Sequence, residues 1–361
     1  MMEKKRLLYL DAAKGWGINM IVFGHITAIG NPIDKWFGAY KIAVFFFVSG
    51  YLIALNGSLK KYSPREYMIR HARNLMLPYI GYSLLIGLYR LGVDFYLGKS
   101  AAKTVYAVKQ YLYAFVTLRG HSTMWFLPCL FLAQIFFLFA WRTPRWTRLA
   151  LALLSVGSNL FFHSLLIRME KGMPENLFLW TSYPILSLSR AIYGFTFVCA
   201  GYTLWQVMNR FSWPYLRFLL GAALSLFTFR ASAFLGTTDV NNMFLGKKPV
   251  LMMICGVTGS LGLILILEFL EKWWRMDYLV WSGKNSMIIM ATHGTFRFKN
   301  VQINGWKHVY RLAEKAGLRY YLESIGIQVH LMLLECGVVT LVNRYLPVLA
   351  GKGFKRAEDR K

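Results

Sequence analysis

The sequence predicts an all-α integral membrane protein, a bundle of about ten transmembrane helices with both termini in the cytosol. Of its 361 residues, 56% are hydrophobic and only 16% are charged. The mean hydropathy of +0.40 is far above that of a soluble globule of this size. The apolar residues also fall into stretches near the 20 residues that a helix needs to cross the hydrocarbon core. We expect residues 1–361 to form one transmembrane domain without an appended soluble domain.

The predicted spans are separated by connections that carry most of the basic residues. Short basic connections cluster on one side, which positive-inside bias assigns to the cytosol, although the connection 297–320 on the other side is also basic. The connections 94–121 and 297–320 are the longest and could either dock an acceptor or cover the surface. In order, the spans are 8–30, 36–56, 75–93, 122–141, 149–167, 183–205, 215–236, 249–270, 279–296 and 321–347.

The charge and the cysteines exclude two other classes of protein. The formal net charge is +26, but no motif that reads RNA or DNA accompanies it, so we expect contacts with lipid headgroups and not with nucleic acid. The four cysteines lie inside apolar runs without the spacing of a metal site, and we interpret them as buried packing residues. We expect no metal and no tightly bound cofactor.

The first predicted helix carries charge inside the membrane. Asp11, Lys14 and His25 share one face, because the eleven residues from Lys14 to His25 return to within about 20° of the same direction and span about 16 Å. An ionisable side chain in the hydrocarbon region costs at least a few kcal/mol, so these residues predict a polar cavity inside the bundle. A long, narrow ligand along this helix would contact both ends of the stripe.

His25 is the candidate general base. Imidazole titrates near neutral pH and can take a proton from a hydroxyl group. A lone histidine in a helix is more often a hydrogen-bonded packing residue, but Asp11 and Lys14 on the same face favour a catalytic role for the stripe.

A pair of arginines precedes the third span. Arg70 and Arg73 are three residues apart near the predicted start of a helix, so one face presents two guanidinium groups suited to phosphate oxygens. Positive-inside anchoring explains the pair equally well.

Two further polar stretches enter predicted spans. In the stretch 120–127, Trp125 is most simply a residue of the interfacial aromatic belt, with a ligand contact as the alternative, and His121 could be only a loop residue. In the ninth span, Ser286 and His293 point to one side but lie roughly 10 Å apart, which excludes a direct nucleophile pair. Ser286 is then a packing hydroxyl, and His293 a polar group of the cavity with Glu335 as its expected counter-charge.

Together these residues resemble the membrane-bound acyltransferase 3 family over essentially the whole chain. The resemblance rests on Asp11, Lys14-Gly15 and His25, on the stretch 46–51, on Arg70 and Arg73 before 77–79, on 125–127 and on 283–293. It implies a ten-helix enzyme that moves an acyl group, usually acetyl, from acyl-CoA to a hydroxyl group of a sugar or another acceptor. The fit is closest to members that resemble O-acetylases of surface polysaccharides.

The resemblance also implies roles for the individual residues. Lys14 and His25 match the basic residue and the histidine of the family's first helix, and Arg70 and Arg73 match its cytosolic arginine pair. Lysine at position 14 replaces the arginine of many members and cannot form a bidentate phosphate contact. The expected roles are catalytic for His25, Asp11 and His293, binding of acetyl-CoA as co-substrate for Lys14, Arg70 and Arg73, and substrate binding for Trp125 and Ser286.

Other functions remain open on the sequence alone. The expected partners are acyl-CoA, a glycan or lipid-linked sugar and membrane lipid, and the oligomeric state is open. The alternative function is a transporter or flippase for a glycan or lipid-linked sugar, in which the same polar residues line a translocation path. A third candidate is a non-catalytic membrane partner in polysaccharide assembly.

Overall fold

A computed structural model describes residues 7–27, 30–211, 213–294, 305 and 317–351, and these residues fold into a helical bundle. No β-strand occurs among them beyond an isolated bridge between Asp239 and Phe244. Short 3₁₀ turns cover Ser122–Trp125 and Val240–Asn242. The α-helices are α1 (Leu8–Ile26), α2 (Pro32–Gly38), α3 (Ala43–Asn56), α4 (Ser58–Lys61), α5 (Pro64–Tyr96), α6 (Ala101–Val116), α7 (Phe126–Trp141), α8 (Arg145–Gly172), α9 (Glu175–Met208), α10 (Pro214–Ser232), α11 (Pro249–Leu270), α12 (Asp277–Lys284), α13 (Ser286–Thr292) and α14 (Leu318–Tyr345).

The all-helical membrane class is confirmed, and every predicted span overlaps helical residues. Seven helical segments of the described chain are long and apolar enough to cross a membrane. α1 is not among the seven, because its polar stripe lowers its hydropathy. The count of ten and the cytosolic termini stay predictions. The seven are Pro32–Asn56, Pro64–Tyr96, Ser122–Trp141, Arg145–Gly172, Glu175–Met208, Pro249–Leu270 and Leu318–Tyr345.

Two predicted elements differ from the structure. The connection 94–121 is not a plain loop, because it contains α6, which returns along α5. The ninth span is not one helix: it divides at Asn285, whose backbone leaves the helical region at φ −109°. The Asn285 side chain donates to the main-chain oxygen of Trp281 at 2.8 Å and accepts from Asn343 at 3.0 Å. These side-chain bonds hold the junction at which α12 ends and α13 begins.

Glycines allow α3 and α9 in the core to touch through their main chains at two places. A β-carbon on Gly50 of α3 would lie 2.1 Å from the main-chain oxygen of Val198, and one on Gly201 of α9 would lie 2.0 Å from that of Phe47. Small residues at such crossings are the usual basis of close helix packing in membranes. Aromatic side chains then fill the remaining space, and Phe46 is fully buried.

The same device joins α1 to α12. A β-carbon on Gly15 would lie 1.9 Å from the main-chain oxygen of Leu279, and one on Gly283 would lie 1.8 Å from that of Asp11. The contact fixes α12, and through the turn at Asn285 also α13, against the first helix. We call the side on which α1 ends the outer side, following the predicted orientation.

α5 is the helix that most exceeds its predicted length. It begins with a capping box, in which the Ser63 hydroxyl accepts from the Glu66 amide at 3.3 Å and the Glu66 carboxylate accepts from the Ser63 amide at 2.9 Å. Pro64 occupies the first turn, where its missing N–H costs nothing. The 33 residues of α5 reach about 50 Å, so the arginine pair lies within the helix and not before it.

The cysteines only partly follow the prediction. Cys129 and Cys255 are buried and Cys199 is half-buried, in agreement with packing roles. Cys336 is exposed on α14, where the surface faces lipid or solvent, so its interpretation as a buried residue is wrong.

Candidate functional site

The two histidines of the predicted site lie next to each other. His25, in the last turn of α1, is exposed, whereas His293, at the end of α13, is fully buried. Their ring centroids are 5.3 Å apart, with 33° between the ring planes. Nδ1 of His293 donates to the main-chain oxygen of Ile289 at 2.7 Å, so Nδ1 carries a proton. The bundle thus presents one accessible imidazole with a second, oriented imidazole behind it.

An ion pair occupies the other end of the α1 stripe. Nζ of Lys14 is 2.8 Å from Oδ1 of Asp11, and the Asp11 side chain is only 6% exposed. The pair satisfies a buried carboxylate, and it also compensates the lysine charge that was expected to meet phosphate. With about 21 Å of helix between Asp11 and His25, Asp11 acts on the lysine and not on the imidazole.

Asn19, between the two ends of the stripe along α1, centres a polar cluster that could not be read from the helical spacing. Its side-chain oxygen accepts from Tyr278 at 2.6 Å and from Gln328 at 3.1 Å. Its side-chain nitrogen donates to Gly15 at 2.8 Å and to Ser282 at 3.1 Å. Polar groups therefore line the middle of α1, as a cavity rather than a lipid-facing surface requires.

The arginine pair lies at the opposite end of the bundle from the histidines. Arg70 and Arg73 are both exposed on one face of α5. The Arg70 guanidinium lies 4.6 Å from the ring centroid of Tyr62 and donates a hydrogen bond to its hydroxyl. The stacking restricts the orientation of Arg70 and leaves other N–H groups of its guanidinium exposed to a ligand.

The stretch before α7 is attached directly to α13. The Thr123 hydroxyl donates to the main-chain oxygen of Met290 at 2.7 Å. Trp125 is only 6% exposed, with the Arg190 guanidinium 5.0 Å from its ring centroid. The interpretation as an interfacial belt residue is wrong, because a belt side chain faces the membrane surface and this one packs inside the bundle.

Ser286 and Glu335 flank the histidine pair in different ways. Ser286 is half-buried at the start of α13, and the seven residues to His293 place it roughly 10 Å away. Glu335, expected as the counter-charge of His293, is 1% exposed and accepts from the Thr292 hydroxyl at 2.6 Å. The carboxylate therefore contacts the residue next to the histidine.

Arg190 is a buried cation that the sequence analysis overlooked. It is 1% exposed and donates to the main-chain oxygen of Arg119 at 3.0 Å and to the side chain of Asn241 at 3.0 Å. It thereby ties the outer loops before α7 and α11 together above Trp125. An arginine within the predicted span 183–205 is itself the signal that could have found it.

A second overlooked pair lies beside His25. Lys41 and Asp34 form an ion pair of 3.5 Å at the outer end of α1. They pack against Gly24, where a β-carbon would lie 2.4 Å from Nζ of Lys41. The glycine next to His25 thus makes room for the lysine.

Two hollows lie on the outer side of the bundle, between α5, α6 and the stretch before α7, and we call them together the outer basin. Each has a volume of about 230 Å³, and both are lined by Arg90, His121 and Ser122. Gly294, which follows His293, lines one of them, and Arg119 lines the other. His121 is therefore more than a loop residue. The basic connection 297–320 lies almost entirely outside the described residues.

Comparison with known proteins gives the family. Residues 7–298 match the acyltransferase domain profile of the acyltransferase 3 family, a range that includes all eight predicted site residues. No curated protein and no solved structure matches the chain. The match covers well over half of the chain and agrees with the apolar helices described above. The chain therefore belongs to the acyltransferase 3 family and is a multi-pass membrane acyltransferase.

Proposed function

We propose that the protein is an O-acyltransferase of the cell (cytoplasmic) membrane that moves an acetyl group from acetyl-CoA to a hydroxyl group of a cell-surface glycan or lipid-linked sugar. The observation that carries the proposal is the contact between His25 and His293, the residue directly before Gly294, which lines the outer basin. An exposed imidazole at the end of a polar stripe is what an acyl transfer between two long substrates needs.

In the proposed reaction, His25 acts as the general base. It takes the proton of the acceptor hydroxyl while the hydroxyl oxygen attacks the thioester carbonyl carbon. A carbon–oxygen bond forms, the carbon–sulfur bond breaks, and the proton on His25 passes to the leaving sulfur, so that CoA departs as a thiol. His293, whose ring lies 5.3 Å from His25, is in place to orient that imidazole or to stabilise developing charge.

The donor is proposed to enter from the cytosolic side. Arg70 and Arg73 would bind the phosphate groups of acetyl-CoA, and Lys14, held by Asp11, would line the way inward. The pantetheine arm would then follow α1 past the Asn19 cluster over about 16 Å to His25. Ser286 would contact this arm, and Trp125 would support the acceptor side.

Membership of an acyltransferase family favours this proposal over a transporter or flippase. The decisive experiment supplies labelled acetyl-CoA to membranes with and without the protein and measures label in the surface glycan. Label that appears only with the protein supports acyl transfer. Transport of unmodified glycan without label, at normal expression, would instead support the transporter.

The arginine pair gives a prediction for donor binding. Replacement of both Arg70 and Arg73 by alanine should weaken acetyl-CoA binding at least about tenfold, because charge-assisted bonds to phosphate contribute about 1.5 to 3 kcal/mol each. The measurement is the dissociation constant of acetyl-CoA for purified protein in nanodiscs. Arg65, which is exposed one turn earlier on α5, provides the matched control through Arg65→Ala. Unchanged affinity in the double variant would return the pair to a role in topology.

A further inference from the structure

An apolar groove runs between α5 and α6 on the outer half of the bundle. The helices are joined by bonds from the Tyr79 hydroxyl to the main-chain oxygen of Phe115 at 2.8 Å and from Tyr111 to that of Ser83. The groove between them has a volume of about 220 Å³. Its apolar lining comprises Leu84, Leu88 and Leu91 of α5 and Val108, Leu112 and Phe115 of α6.

The groove ends at the outer basin. Arg90 lines the groove and both hollows of the basin, so the apolar channel and the polar basin are continuous at this side chain. Of the lining leucines of α5, Leu84 and Leu88 lie on the cytosolic side of Arg90 along the helix, and Leu91 directly follows it. A chain lying in the groove would thus have its polar end at the basin.

The basin carries excess positive charge. Arg90, Lys99 and Arg119 line it together with one carboxylate, Asp94, which lies 2.5 Å from Nζ of Lys99. Neither Arg90 nor Arg119 forms an ion pair with a carboxylate of the described chain. Buried Nε of Arg119 has no hydrogen-bond partner among the described residues. Arg119 donates to the neutral side chains of Asn241 and Asn242, at 3.5 Å each, and Asp239 is the nearby carboxylate that acts on it. Within the described part of the chain, both guanidinium groups therefore lack a carboxylate in direct contact and can bind an anion.

His121 does not neutralise this charge but orients Arg90. The Arg90 guanidinium donates to the His121 ring, which must be neutral to accept. Burial, and then the neighbouring Arg90 and Arg119, lower the pKa of His121 to about 4, so the ring is neutral at physiological pH. Gly294, which follows His293 in the chain, lines the basin together with Arg90, so a ligand anchored at Arg90 would reach the outer end of α13.

We infer that the acceptor is an anionic lipid-linked molecule, with its apolar chain in the α5–α6 groove and its phosphate or carboxylate at Arg90 and Arg119. This inference rests on the proposed function and specifies its acceptor. The hydroxyl that receives the acetyl group belongs to the polar part and faces His25. A neutral bilayer lipid could fill the groove but would leave the two guanidinium groups of the basin without an anion.

Four probes separate the contribution of the alkyl chain to binding from that of the anionic group. Decyl glucosyl phosphate has a decyl chain and a phosphate, decyl glucoside has the decyl chain alone, and glucose 1-phosphate has the phosphate alone. Decyl glucuronide has the decyl chain and a carboxylate in place of the phosphate. Binding is measured without acetyl-CoA, with the protein in zwitterionic phosphatidylcholine nanodiscs. We expect decyl glucosyl phosphate to bind at least tenfold more tightly than decyl glucoside and than glucose 1-phosphate. Equally tight binding of decyl glucuronide supports a carboxylate-bearing acceptor, and weaker binding a phosphate-bearing one.

Substitutions test whether the basin binds the phosphate and the groove binds the alkyl chain. Arg90→Gln, and separately Arg119→Gln, should make decyl glucosyl phosphate bind no more tightly than decyl glucoside. Leu88→Trp should make decyl glucosyl phosphate bind no more tightly than glucose 1-phosphate. The matched controls are Lys103→Gln on the exposed face of α6 and Leu149→Trp on the exposed face of α8. The inference would be overturned if decyl glucosyl phosphate kept its tighter binding in all three site variants, or if the control variants lost it equally.

Addition of labelled acetyl-CoA separates this inference from the proposed function. Tight, Arg90-dependent binding with no acetyl group on any probe would support the anionic binding site and contradict the acyltransferase proposal. Equal acetylation of charged and neutral probes, unaffected by Arg90→Gln, would support the acyltransferase proposal and contradict the inference that the acceptor is anionic.

Discussion

Replacement of His25 by alanine should lower acetyl transfer by about 10³-fold, within the range by which a positioned general base accelerates proton transfer. The rate falls because no other exposed imidazole of the described chain lies at this end of α1, and the buried ring of His293 sits behind it. The measurement is the initial rate of label transfer from acetyl-CoA to acceptor with purified protein in nanodiscs.

The control for this variant must separate chemistry from folding. His330→Ala removes another imidazole, on the exposed face of α14, and should leave the rate near that of the wild type. The dissociation constant of acetyl-CoA should be unchanged in His25→Ala, since the phosphate groups are bound at the other end of the bundle. A transfer rate in His25→Ala within a factor of about three of the wild type would exclude His25 as the base.

The substitution Gly283→Ala should destabilise the protein by about 3 kcal/mol, at the upper end of ordinary overpacking effects. The added β-carbon would lie 1.8 Å from the main-chain oxygen of Asp11 and 2.8 Å from the nitrogen of Gly15. Neither main-chain atom can turn aside as a side chain can, so α12 must move away from α1. The movement carries α13 with it, and transfer activity should fall together with stability. Thermal unfolding in detergent measures the first effect.

Gly337→Ala is the matched control for this substitution. Gly337 also lies within a helix, but a β-carbon there meets nothing within 4 Å. Alanine should raise stability at this position by up to about 1 kcal/mol through helix propensity alone. A Gly283→Ala protein as stable as Gly337→Ala would show that the contact between α1 and α12 is looser than the structure has it.

The helical membrane class, the positions of the helices and the family could be predicted from the sequence. Apolar stretches near 20 residues identify helices because the bilayer imposes that length. The polar face of α1 could be predicted too, since helical periodicity alone places Asp11, Lys14 and His25 on one side.

The composition of the site could not be predicted, because it depends on contacts between distant segments. His293 reaches His25 only because the helix breaks at Asn285 and because Gly283 permits contact with α1. Neither the break nor the contact has a periodic signal. The bond between Arg90 and His121 likewise required the return of α6 along α5, and α6 lies in a stretch that is too polar to be identified as a span.

The length of α5 has a consequence for the membrane in which the protein works. Arg70 and Arg90 lie on this one helix, twenty residues and therefore about 30 Å apart, which equals the thickness of a typical hydrocarbon core. The helix α5 thus sets the distance between Arg70, which is proposed to bind the donor, and Arg90, which is proposed to bind the acceptor. A markedly thinner bilayer would force α5 to tilt or would move one guanidinium group away from its headgroup layer. Bilayer thickness would then act on substrate binding at both ends at once.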